Sequence, residues 1–161
     1  MPGTARSAFA AAVKAAAEEA RQRGDRRVGT EHLLLGLLGT PGCAVARALG
    51  VDHATARAAV AELDAAALRA IGLDVGQAPQ TRPRRHPPVP ATALSTSARA
   101  AVHRAIKATT RKNRNTEGPD QLLLALLAQQ RPDPVAELLD HLGVNRTAIR
   151  EQLTSDDRQG R

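Results

Sequence analysis

The chain repeats itself, and this constrains its fold more than any other feature. Glu31-His32-Leu33-Leu34-Leu35-Gly36-Leu37-Leu38 falls on Asp120-Gln121-Leu122-Leu123-Leu124-Ala125-Leu126-Leu127, a shift of 89 positions (31 to 120). At the same shift Ala12, Val13 and Ala16 meet Ala101, Val102 and Ala105, and Gly29 meets Gly118. Further on, Leu49-Gly50-Val51 meets Leu142-Gly143-Val144 at a shift of 93 (49 to 142), which places four extra residues around Gln129 to Asp133 of the second copy. A repeated unit of this size carries an apolar face too large to bury alone, so the copies are expected to pack together about a pseudo-twofold axis.

Each copy reads as four helices. Phe9, Val13, Ala16 and Ala20 recur every three to four residues and share one helical face; Ala98, Val102, Ile106 and Thr109 are their counterparts. The second helix, Glu31 to Leu38, is leucine on nearly every side and must be enclosed by its neighbours. A short third helix runs from about Ala44 to Leu49 and stops at Gly50; its copy, Val135 to Leu142, stops at Gly143. The fourth spans His53 to Arg69 in one copy and Arg146 to Leu153 in the other. Asp74 to Thr92 holds Pro79, Pro83, Pro87, Pro88 and Pro90 with Arg82, Arg84, Arg85 and His86, which predicts an extended basic connector. The expected organisation is therefore all-α: a first repeat over 1–73, a connector over 74–92, a second repeat over 93–154 and a polar tail over 155–161, forming one eight-helix body.

The core chemistry fits. Apolar residues make up 42% of the 161, almost all Ala, Leu and Val, with Phe9 the sole aromatic. Small side chains favour close helix packing, and the lack of aromatics disfavours a base-stacking reader of single strands. The net charge of +7 and a pI near 11.1 permit an acidic partner. Nucleic acid is the alternative partner on this ground, through Arg82, Arg84, Arg85 and the cluster from Lys107 to Arg114. A lone Cys43 forms no internal disulfide. The sequence has no signal-type leader and no run of eighteen apolar residues, which predicts a soluble cytoplasmic protein without a membrane partner.

Catalytic patterns are missing from the sequence. There is no phosphate-cradling Gly-x-x-x-x-Gly-Lys loop, no Gly-x-Ser-x-Gly elbow, and the five histidines have no metal spacing. The expectation is a non-enzyme with no cofactor or metal. His32 opens the leucine helix, where it either titrates or makes a structural hydrogen bond; Gln121 in the second copy keeps only the second option. Glu31 and Asp120 stand at the same point of their copies, and two readings of them compete. An acid in the first helical turn, with Thr30 or Gly118 as cap, complements the macrodipole by roughly 0.3–1 kcal/mol. The same carboxylate, held on a rigid helix end, binds a guanidinium by paired charge-assisted hydrogen bonds.

Val28-Gly29-Thr30-Glu31-His32-Leu33-Leu34-Leu35-Gly36-Leu37, preceded by Glu18-Glu19-Ala20 and followed by Ala48-Leu49-Gly50-Val51, closely resembles the Clp N-terminal repeat. The resemblance implies an eight-helix domain of the kind that precedes the ATPase rings of Clp unfoldases and binds substrates and adaptors. It implies a stand-alone protein/peptide-binding module of the Clp proteolysis system, an adaptor, substrate receptor or decoy, because no ring motifs occur in this sequence. Its partners would be Clp unfoldase or protease components or their substrates. Gram-positive relatives recognise phosphoarginine through the glutamate of each Gly-Thr-Glu-His motif, which corresponds to Glu31, with Thr30 and His32 beside it, and to Asp120 in shortened form. Ala5-Arg6 and Leu94-Ser95 replace the phenylalanine and threonine that lead into each family repeat, so only Ser95 keeps a hydroxyl. Cyclic-peptide antibiotics, ligands of mycobacterial relatives, use in part the aromatics that are replaced here.

Overall fold

A computed structural model describes residues 7–41, 44–74 and 86–159. Cys43, Ala5-Arg6, Pro79, Pro83, Arg82, Arg84 and Arg85 lie outside the described residues. Eight helices are formed among those described: α1 Ala8–Arg23, α2 Thr30–Gly39, α3 Val45–Leu49, α4 His53–Ala70, α5 Thr96–Ala108, α6 Arg114–Leu127, α7 Pro134–His141 and α8 Arg146–Gln159. The expected all-α architecture of eight helices is found among the described residues. Asp74 and residues 86–92 of the connector are non-helical, as expected.

Local chemistry sets the boundaries. Ser7, Asp52 and Ser95 each accept from a backbone N–H three residues on, capping α1, α4 and α5. Gly24 (φ +79) and Gly50 (φ +66) close α1 and α3 in the left-handed region, where a side chain would be strained. Gly143 (φ +68) follows the α7 cap, Leu142.

One contiguous core draws on both copies. Leu33, Leu34, Leu35 and Leu37 of α2, Leu122, Leu123, Leu126 and Leu127 of α6, and Leu138 and Leu139 of α7 are all less than 2% exposed. Each contributes roughly 1.5–3 kcal/mol relative to an exposed position. Helix α2 lies against α1 along alanines: the space where a Gly36 Cβ would stand is 2.3 Å from the Ala12 carbonyl oxygen and 2.7 Å from the Ala16 nitrogen. Across the copies α1 packs on α6 and α5 on α2. The chain entering α2 also pairs with the chain entering α5, through Val28 N–H to the Ala93 carbonyl (2.8 Å) and Ser95 N–H to the Val28 carbonyl (2.9 Å).

Two boundaries differ from expectation. Helix α6 starts at Arg114, six residues ahead of Asp120, so Gly118 is not its cap and Pro119 lies within it. Asn113 holds this early turn: its side chain accepts from Thr110 N–H (2.7 Å) and donates to Glu117 (2.7 Å), while its carbonyl takes Glu117 N–H (2.9 Å). Phe9 then packs over Gly118, its ring 3.0 Å from the point a Cβ would occupy. Helix α8 runs on to Gln159 rather than ending at Leu153; no Gly or Pro interrupts residues 146–159, and within it Thr154 and Ser155 turn their hydroxyls onto the Arg150 and Glu151 carbonyls.

Candidate ligand-binding cleft

The start of α2 is built by its own third residue. His32 is 1% exposed, and its Nδ1 accepts the Gly29 N–H at 2.9 Å. An accepting Nδ1 leaves the proton on Nε2, which donates to Asp25 at 2.9 Å. Both ring nitrogens are therefore engaged in structure, and Gly29, not Thr30, is the N-cap residue. Thr30, also 1% exposed, reaches the second copy: its hydroxyl donates to Asp133 Oδ1 (2.5 Å) and accepts from Val135 N–H (3.3 Å). Asp133 simultaneously caps α7 by accepting from Val135 N–H (3.1 Å). The four-residue insertion thus supplies the residue that ties the two copies together at this point.

Glu31 occupies the position between these two anchors. Its side chain is 18% exposed and folds back over Gly29, where a Cβ would meet Oε2 at 2.3 Å. In this position the carboxylate takes the space that a Gly29 side chain would occupy. Oε2 is buried without a hydrogen-bond donor among the described residues, and Oε1 stands 3.6 Å from His32 Nδ1, which is itself an acceptor. The positive end of α2 stabilises the charge, but no donor completes it.

A cleft of about 500 Å³ opens here. Glu31, Thr30, His32 and Ser95 all line it, together with Asp25, Asp133, Arg26 and Arg27. Two of its acids are spent, Asp25 on His32 and Arg23 (3.4 Å), Asp133 on Thr30 and Val135. Ser95 accepts from Ala98 N–H (3.2 Å) as the α5 cap. Among the described residues the cleft thus combines a carboxylate with one oxygen lacking a donor and two exposed arginines, Arg26 and Arg27, and so presents both signs of charge. Arg26 and Arg27 stood next to the motif in sequence, but Asp25 and Asp133 gave no local signal, since each is joined to the site by a contact made only on folding.

Asp120 does not join this cleft. It faces another, of about 290 Å³, with Thr116, Glu117, Gln121, Asp156 and Asp157. Burial first, then the charges of Asp156 and Glu117, push its carboxyl above the ordinary value. The two repeat acids therefore sit in unlike surroundings. Within the basic cluster of the second copy, Arg114 is spent on the Thr109 hydroxyl (3.2 Å), while Lys107, Arg111 and Lys112 are exposed. Among the described residues there is no cluster of potential metal ligands, and no helix is long and apolar enough to cross a membrane.

Fold and cleft together define an all-helical tandem-repeat domain with a polar pocket at the head of a buried helix. Residues 6–84 match the Clp repeat (R) N-terminal domain family. The match points to an involvement with the Clp system. The match covers the first copy and part of the connector; the internal duplication links the second copy to it. No curated protein matches the chain.

Proposed function

We propose that the protein is a non-enzymatic binding module of Clp proteolysis, an adaptor, substrate receptor or decoy, and that its Glu31 cleft holds the guanidinium of phosphoarginine on marked proteins. The observation that carries this reading is the Glu31 carboxylate, fixed on a rigid helix end with a buried oxygen that no group among the described residues donates to. A guanidinium supplies two N–H donors in the geometry a carboxylate accepts, and Arg26 and Arg27 stand on the same cleft for the phosphoryl group. Thr30 and His32 act as positioning residues, Ser95 as a wall of the cleft. Asp120, among other acids, is read as a separate and weaker cationic site. The residue ranges 1–73, 74–92 and 93–154 are read as repeat, connector and repeat. The reciprocal packing of α1 on α6 and α5 on α2 supports a pseudo-twofold relation between them. Clp components or their substrates are the partners this reading implies, in the cytoplasm; cyclic-peptide antibiotics are further candidate ligands.

The test is isothermal calorimetry with a phosphoarginine peptide against the wild type and Glu31→Gln, which keeps the shape and removes the charge. A charge-assisted hydrogen bond is worth about 1.5–3 kcal/mol, so affinity should fall roughly ten- to hundredfold. Equal affinity for both proteins would remove Glu31 from the site.

A further inference from the structure

The Glu31 cleft has a neighbour. A second cleft of about 220 Å³ lies between α4 and α7, floored by Val60 and Leu138 and walled by Leu63 and Ala67. Glu31 and Pro134 belong to both clefts, so the two meet at the carboxylate. Their chemistry differs. Beyond Glu31 the first cleft carries Arg26, Arg27, Asp25 and Asp133, whereas the floor of the second is aliphatic and buried, Val60 being 5% and Leu138 0% exposed. The rim of the second carries Glu137 and the Arg23–Asp64 ion pair, which joins the end of α1 to α4 and fixes that wall.

From this juxtaposition we infer that the two clefts form one groove for a peptide, in which a cationic residue at Glu31 is accompanied by a branched aliphatic residue within two positions of it. The inference rests on the reading of Glu31 above and adds the sequence context of the ligand. Because the two clefts adjoin at Glu31 and Pro134, a peptide is selected over an isolated amino acid: neighbouring residues of an extended chain lie about 3.8 Å apart at Cα and so reach adjoining pockets. The volume and the aliphatic walls select Leu, Ile or Val. The acids at the rim act against a Glu or Asp at the same position, since Glu31 and Glu137 would face it.

Phosphoarginine peptides with Gly at all flanking positions but one, which carries Leu, Gly or Glu in turn, provide the experiment, read by calorimetry on the full chain. Burial of most of one leucine side chain should make the best Leu peptide roughly three- to tenfold tighter than the all-Gly peptide, with the Glu peptide weakest. Ala67→Gln, an exposed substitution on α4 that extends into the second cleft, should bring the Leu-to-Gly ratio close to one. Ala66→Gln, on the exposed side of the same helix and outside the cleft, should leave that ratio as it was. Equal affinity for Leu and Gly peptides at every position would overturn the aliphatic subsite while leaving Glu31 as the cationic one. Binding by none of the peptides would overturn the Glu31 reading and the inference with it.

Discussion

Replacing Gly36 by alanine should destabilise the protein, although in an exposed helix the same change stabilises. Alanine exceeds glycine in helix propensity by about 1 kcal/mol. Against this, the new methyl would stand 2.3 Å from the Ala12 carbonyl oxygen, 2.7 Å from the Ala16 nitrogen and 3.0 Å from the Ala16 Cβ. Two of these three neighbours are backbone, so no side-chain rotation relieves the clash, and α1 as a whole must move away from α2. Overpacking of this kind costs about 1–3 kcal/mol, and a backbone obstacle places it at the top of that range. Subtracting the propensity gain leaves a loss of about 2 kcal/mol, or a fall in Tm of roughly 4–8 °C for a chain of this size. Thermal unfolding followed by circular dichroism at 222 nm measures it. Gly39→Ala is the internal control, because the atoms nearest its Cβ belong to the His53 ring, at 3.2 Å, and a side chain yields where backbone does not. A Gly36→Ala protein as stable as the wild type would refute the claim that α1 and α2 are in contact through this glycine.

Thr30→Val keeps the shape of a buried side chain and removes the bond to Asp133; the expected loss is about 1–2 kcal/mol, seen as a fall in Tm of roughly 2–8 °C, and an unchanged Tm would mean that this tie between the copies is not formed. Asp120→Asn should act in the opposite direction, with a defined pH dependence. Because burial and the neighbouring acids raise the folded-state value of Asp120, its contribution is fully present below the ordinary carboxylate value, about 3.9, and is lost as pH rises through the raised one. The substitution should therefore raise Tm at pH 7 and confer no gain near pH 3, and equal melting temperatures at pH 7 would show that Asp120 is not under this strain.

The helices of the first copy were legible because their signals are local: leucine at every turn of α2, a glycine after α3, a capping aspartate before α4. The start of α6 was not, because Gly118 and Pro119 read as breakers when taken alone. The Asn113 network holds the preceding turn in helix, and Phe9, more than a hundred residues away in sequence, covers the glycine. In the cleft, the motif exposed Glu31, Thr30 and His32, and the family resemblance marked Ser95. Asp133 was hidden, because an inserted loop has no counterpart to compare with and its role depends on a contact with Thr30 across 103 residues. His32 illustrates a finer limit: its sequence context allowed a structural hydrogen bond without naming the partners, and only the fold brings Gly29 N–H and Asp25 to its ring.

The duplication explains why the copies are unequal at the point where they correspond most closely. Gly29 and Gly118 are equivalent in sequence, yet a different neighbour takes the space that each leaves. Over Gly118 that neighbour is the Phe9 ring, an apolar filling that seals α6 against α1. Over Gly29 it is the Glu31 carboxylate, a charged group that cannot be sealed without a donor and that opens on a cleft. The same missing side chain therefore stabilises packing in one copy and makes room for a ligand-ready acid in the other. A scaffold of two like units gains from such divergence, because one site can become dedicated to packing while the rigid helix end of the other keeps a charged group at a cleft.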